Sequence, residues 1–203
     1  MTSTLFNRRH FTASALALAC GGFATAVQAA KAHKILVLGD SLSAEYGLPR
    51  GSGWVALLQK QLAQSHPGTT VVNASISGET TSGGRSRLPA LLRQHQPTHV
   101  IIELGGNDAL RGLALSMTRD NLNFMAQTAK DAGARVLLLG MQMPPNYGGE
   151  LTRQFADLYP AVAKAHGAAL VPFFLNGVGD DREPTRWFQA DRIHPNEAAQ
   201  PRL

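Results

Sequence analysis

Ser41 stands in ILVLGDSLSAEYGL (35–48), where four aliphatic residues run straight into a glycine, an acid and two serines. A serine hydroxyl acts as a nucleophile only with a base to take its proton, an orienter for that base and donors for the oxyanion that forms. Outside the first thirty residues the chain offers six histidines as base. His66, His95 and His166 end helical stretches, where a positive charge is favourable in its own right. His33 precedes a strand and His99 opens one. His194 differs: in QADRIHPNEA an acid, Asp191, stands three residues before it. One turn of chain lets that carboxylate reach Nδ1 and set the tautomer while Nε2 faces Ser41. Donors come from Gly78 in NASISGET (73–80) and Asn107 in LGGNDAL (104–110), together with the N–H of Ser41 itself. A glycine brings its N–H close to a ligand with no Cβ in the way, and an Asn side chain carries N–H donors that Asp lacks.

Plainer roles exist for the same residues. Ser41 can cap a helix, Asn107-Asp108 can be a turn, and Asp40 is better suited to ordering the Ser41 loop than to proton transfer. Met141, Met143, Tyr147, Phe155 and Leu158 can line an acyl groove, although the last two also suit a helix core. Arg111 can meet an anionic headgroup or simply face solvent.

These residues need elements that gather them. Continuous apolar runs at 34–38, 69–74, 99–104, 134–140 and 168–174 read as parallel strands covered on both faces. Helical stretches lie between them at 53–65, 84–95, 117–132 and 150–166, with Gly133 and Gly167 at helix ends. This alternation predicts right-handed crossovers and a doubly wound parallel sheet, in which a flavodoxin-like order 2-1-3-4-5 would make the first and third strands neighbours. In such sheets ligands bind outside the carboxyl ends of the strands, where the order reverses. Ser41 and Asn107 then follow neighbouring strands. Pro195 suits the first position of a final helix.

Residues 1–30 read differently. Arg8 and Arg9 precede a mostly small and apolar stretch that closes in AVQAA, the order of an export signal cleaved near Ala29-Ala30. Arg8-Arg9-His10-Phe11 fits a twin-arginine or an ordinary secretory signal, and the expected location is periplasmic or secreted. The sole cysteine, Cys20, lies inside that stretch, so residues 31–203 can form no disulfide. The stretch holds two of the 19 Lys and Arg and none of the 14 Asp and Glu, so without it the net charge drops from +5 to +3. The remaining cations are scattered, unlike the stripe of a nucleic-acid binder. No repeat or linker divides residues 31–203, which read as one domain.

GDSLS at 39–43, Gly78 in ISGET, GGND at 105–108 and DRIHP at 191–195 have the order and spacing of the four blocks of the SGNH (GDSL) hydrolases. The chain resembles that family. VVNASISGET, RLPALLRQHQP, ELGGNDALRG, the PPNYG loop (144–148) and LVPFF resemble its branch of periplasmic multifunctional thioesterases, arylesterases and lysophospholipases. The resemblance implies an α/β fold, a three-layer flavodoxin-like sandwich on a five-stranded parallel sheet. It implies Ser41 as nucleophile, His194 as base and Asp191 as its orienter, with Ser41, Gly78 and Asn107 as the oxyanion hole. It implies no metal or cofactor, and a monomer acting on small acyl esters, thioesters and lysophospholipids. Alternatives are a carbohydrate O-acetyl esterase on the same fold or a non-catalytic lipid- or sugar-binding protein. Relatives in this branch continue through a long last helix, whereas the sequence ends nine residues after His194. Most of that helix is expected to be missing, with a cost to the site.

Overall fold

The computed structural model describes residues 32–143 and 147–203. The expected export signal therefore lies outside the described residues, as do Pro144, Pro145 and Asn146 of the PPNYG loop. Five strands form one parallel sheet: β1 (Lys34–Gly39), β2 (Thr70–Asn73), β3 (His99–Glu103), β4 (Arg135–Leu139) and β5 (Ala169–Val171). Their order is β2-β1-β3-β4-β5, the flavodoxin-like order. The helices are α1 (Trp54–Ser65), α2 (Thr81–His95), α3 (Gly106–Leu110), α4 (Leu115–Asp131) and α5 (Gly149–His166), with short 3₁₀ turns at Pro184–Trp187 and Glu197–Arg202. No described helix is long and apolar enough to cross a membrane.

Side chains alternate across a strand, so the parallel register aligns Leu36 with Val100 and Leu38 with Ile102 on one face. All four are buried there with Leu88 and Leu92 of α2 and Leu122, Met125, Ala126 and Ala129 of α4. Each fully buried Leu or Met contributes about 1.5–3 kcal/mol. The other face carries Val37, Ile101 and Leu139, against which Trp54 of α1 and Phe174 meet edge to face.

Several elements differ from the sequence reading. Helix α2 begins at Thr81 rather than 84, because the Thr80 side chain accepts the Gly83 N–H and starts the helix earlier. Strand β5 is only three residues long; beyond it Phe174 N–H donates to the Gly140 carbonyl and the chain turns away. Residues 106–110, read as a turn, form α3. Pro195 does not open a helix: it pairs with Phe188 in an isolated bridge, and Asn196 caps the turn that follows. Gly167 ends α5 in the left-handed conformation expected of it.

Candidate active site

The register of β1 and β3 sets Gly39 beside Glu103, so the segments after both strands emerge together at the carboxyl edge. The chain folds tightly there: a Cβ on Gly39 would stand 2.7 Å from Ser43 Oγ and 2.8 Å from Glu103 Oε2. The Ser43 hydroxyl donates to Glu103 Oε2 (2.7 Å), and Trp54 Nε1–H donates to Ser43 Oγ (3.2 Å). Asp40 Oδ1 accepts the Leu42 N–H (3.0 Å), which closes the turn that presents Ser41. Asp40 thus orders the loop, as read from the sequence. Ser41 caps no helix.

His194 lies 153 residues further on, and its Nε2 is 2.8 Å from Ser41 Oγ. Its Nδ1 is 2.7 Å from Asp191 Oδ2, while Asp191 Oδ1 accepts the N–H groups of Ile193 (2.9 Å) and His194 (3.0 Å). Burial works against charge on Asp191, but the N–H groups of His194 and Ile193 and the imidazole outweigh it and hold its pKa down to about 2. An ionised carboxylate only accepts, so Nδ1 carries the proton and Nε2 is left to accept from the Ser41 hydroxyl. Tyr46 lies over the imidazole, its ring centroid 4.3 Å away. Long-range bonds hold this segment in place: Gln189 Nε2 donates to the Tyr46 carbonyl (2.8 Å), and the Trp54 N–H donates to Gln200 Oε1 (3.0 Å).

Gly78 adopts φ +78°, a left-handed conformation that suits glycine. Among the described residues, neither the Ser41 N–H nor the Gly78 N–H donates to a protein acceptor, so both are free for a ligand. Asn107 is placed beside them but engaged. Its Nδ2 donates to Asp40 Oδ2 (2.9 Å) and to the Glu79 carbonyl (2.9 Å), which uses both amide hydrogens. The expectation that Asn107 points a free donor into the crevice needs that correction: a ligand oxygen must draw one hydrogen away from Asp40 or Glu79. Arg111 stays exposed, but its guanidinium donates to the Gly78 carbonyl (2.8 Å).

Three acids are buried here, and of these Glu103 escaped the sequence reading. Glu103 is wholly enclosed, and burial, aided by the nearby Asp40 carboxylate, drives its pKa well above the usual value. Its Oε1 has no hydrogen-bond partner among the described residues. Burial likewise raises Asp40 to about 6, against the lowering bonds from Leu42 and Asn107 and the charge of His194. Asp108, read as a turn residue, is fully buried; its only legible signal was its place beside Asn107.

A groove of about 470 Å³ runs beside this edge, lined by Met141, Met143, Tyr147, Phe155, Phe173 and Ile193 among others. Four of the five residues expected to line it do so. Leu158 packs into the core instead. A larger cavity of about 800 Å³ opens at the amino ends of the strands, around Ile35, His99 and Arg135, far from Ser41 and without a nucleophile–base pair. Among the described residues, no three His, Cys, Asp or Glu side chains converge as a metal would require.

This arrangement of a serine, an oriented imidazole and free N–H donors coincides with a match of residues 37–201 to the GDSL-like lipase/acylhydrolase family. The chain belongs to that family. Esterase TesA of Pseudomonas aeruginosa is 54% identical over 184 residues, 91% of this chain and 90% of that protein. Thioesterase 1/protease 1/lysophospholipase L1 of Escherichia coli K12 is 45% identical over 174 residues, covering 86% of this chain and 81% of that one. The crystal structure of psychrotrophic esterase EstA from Pseudoalteromonas sp., inhibited by monoethylphosphonate, superposes with a TM-score of 0.78. It is 40% identical and covers 83% of this chain and 91% of its own. The resemblance read from the four sequence blocks and the flavodoxin-like sheet order both agree with these matches.

Proposed function

We propose that the protein is a serine hydrolase of carboxylic esters and thioesters, working through Ser41, His194 and Asp191. The observation that carries this is the unbroken relay from Ser41 Oγ to His194 Nε2 (2.8 Å) and from Nδ1 to Asp191 (2.7 Å). His194 takes the Ser41 proton as Oγ attacks the acyl carbonyl, and the carbonyl oxygen becomes an oxyanion. The Ser41 and Gly78 N–H groups stabilise it, joined by one hydrogen of Asn107. His194 then protonates the departing alcohol or thiol. Water attacks the acyl-enzyme with His194 again as base, the acid leaves, and Ser41 regains its proton.

The apolar groove beside the relay suits a medium or long acyl chain, in keeping with relatives named esterase and thioesterase/lysophospholipase. It favours that reading over a carbohydrate O-acetyl esterase, whose acetyl group needs no such groove, and over a binding protein, which needs no relay. We take residues 31–203 to act as one domain and a monomer, and residues 1–30 to export it to the periplasm.

A fluorophosphonate probe tests the reading. Wild-type protein is expected to be labelled at Ser41, and Ser41→Ala is expected to remain folded, unlabelled and inactive on p-nitrophenyl butyrate and acyl-CoA. A folded wild-type protein left unlabelled would overturn it. Activity confined to acetyl esters would point to the O-acetyl esterase instead.

A further inference from the structure

We propose that Asp108 is a positioning residue: its buried carboxylate clasps the segment bearing Gly78 to the segment bearing Asn107 and so keeps the oxyanion donors in register. This rests on the acyl-transfer reading above. Gly78 follows β2 and Asn107 follows β3, and β1 lies between those strands, so no ladder bond connects the two segments. The connection comes from side chains on α3 and at its C-cap, Arg111. Asn107 Nδ2 donates to the Glu79 carbonyl (2.9 Å), and Arg111 donates to the Gly78 carbonyl (2.8 Å). Asp108 accepts both the Thr81 N–H (2.9 Å) and the Thr81 hydroxyl (2.5 Å).

These three ties are unequal. Arg111 is exposed, so water competes for its bond. Asn107 must release a hydrogen to an oxyanion, so it is no fixed support during turnover. Asp108 and Thr81 are fully buried, and their bonds persist. The Asp108 carboxylate also meets the first N–H of α2, where the helix dipole favours negative charge. Thr118 of α4 donates to Asp108 as well (3.2 Å), and Asn121 donates to Thr81 Oγ1 (3.0 Å), which seats the clasp on the core. In Asp108→Asn the amide oxygen keeps the Thr81 N–H, and the NH₂ faces the Thr81 and Thr118 hydroxyls, which must turn to accept and lose their bonds to a charged oxygen.

The test compares Asp108→Asn with Val162→Ala, a buried lesion in α5 far from the clasp. Both are expected to lower Tm. Only Asp108→Asn is expected to lower kcat, by about 10–100-fold, with KM within about twofold. An alkyl boronic acid forms a tetrahedral anion on a serine, and its affinity should weaken by the same factor as kcat. A kcat within threefold of wild type, or a loss matched by Val162→Ala at equal Tm change, would overturn the proposal. Should Asp108→Asn fail to fold, Thr81→Val keeps the backbone bond and exchanges only the hydroxyl, for a methyl of similar size. It is expected to cost about 3–10-fold in kcat, and an unchanged kcat would be equally fatal. A wild-type protein inert to both the boronic acid and the fluorophosphonate would instead overturn the acyl-transfer reading itself.

Discussion

Asp191→Asn isolates what the carboxylate does beyond holding its loop. Asp191 Oδ1 is bound by the N–H groups of Ile193 and His194, and Oδ2 faces His194 Nδ1 at 2.7 Å. In the amide the retained oxygen stays with the two backbone donors, so the new NH₂ faces Nδ1. A donor cannot face a donor at that distance, so the imidazole moves its proton to Nε2 and directs it at Ser41 Oγ, 2.8 Å away. The base then has no lone pair for the serine proton. In a serine protease, the worked case for this tautomer trap, the same exchange lowers kcat roughly 10⁴-fold. At about 1.4 kcal/mol per factor of ten, the barrier here should rise by about 5.5 kcal/mol. Asp191→Ala removes the acceptor without imposing a donor, so Nε2 can still be the free nitrogen. The expected order is therefore that Asn is at least as slow as Ala, although Asn preserves the turn and Ala does not. Initial rates on p-nitrophenyl butyrate at pH 8, with Tm measured alongside, decide it. An Asn variant retaining more than about a tenth of wild-type kcat, or running tenfold faster than Ala, would refute the tautomer argument.

Two further outcomes follow from the buried acids and the groove. Glu103 and Asp40 have folded pKa values above their unfolded ones, so the native state holds their protons more tightly. Stability should then fall as pH rises from about 4 to 6 through Asp40, and further as Glu103 approaches its own raised value. Glu103→Gln keeps the Ser43 contact without titrating, so its Tm relative to wild type should climb between pH 5 and pH 8; thermal melts showing a flat or falling difference would contradict the assignment. Met143→Trp should fill the groove and lower kcat/KM for octanoyl esters about tenfold relative to butyryl esters. Equal effects on both lengths would place the acyl chain elsewhere.

Much of this was legible in the sequence because it is local. The run ILVL predicts β1, and Gly167 stops α5 by adopting a conformation that other residues resist. A three-residue spacing suffices to bring Asp191 to His194. Features made by distant partners were hidden. Glu103 reads as the last polar residue of HVIIEL, and only the β1–β3 register encloses it beneath the Ser41 turn. Asp108 reads as a turn residue because its partners, Thr81 and Thr118, come from two other helices. The two bonds that occupy Asn107 likewise depend on segments 28 and 67 residues away.

The sequence by itself determined the chemistry available: one serine after a strand, one histidine with an acid within reach, and a glycine and an amide at other strand ends. Each follows from a residue type or from chain a few residues long. Only the tertiary structure decided whether those groups meet. The Ser41–His194 contact spans 153 residues, and no local preference can specify it. It depends on a parallel sheet that brings its loops to one edge. It also depends on the Phe188–Pro195 bridge and on Gln189 and Gln200, which tie the histidine segment to Tyr46 and Trp54.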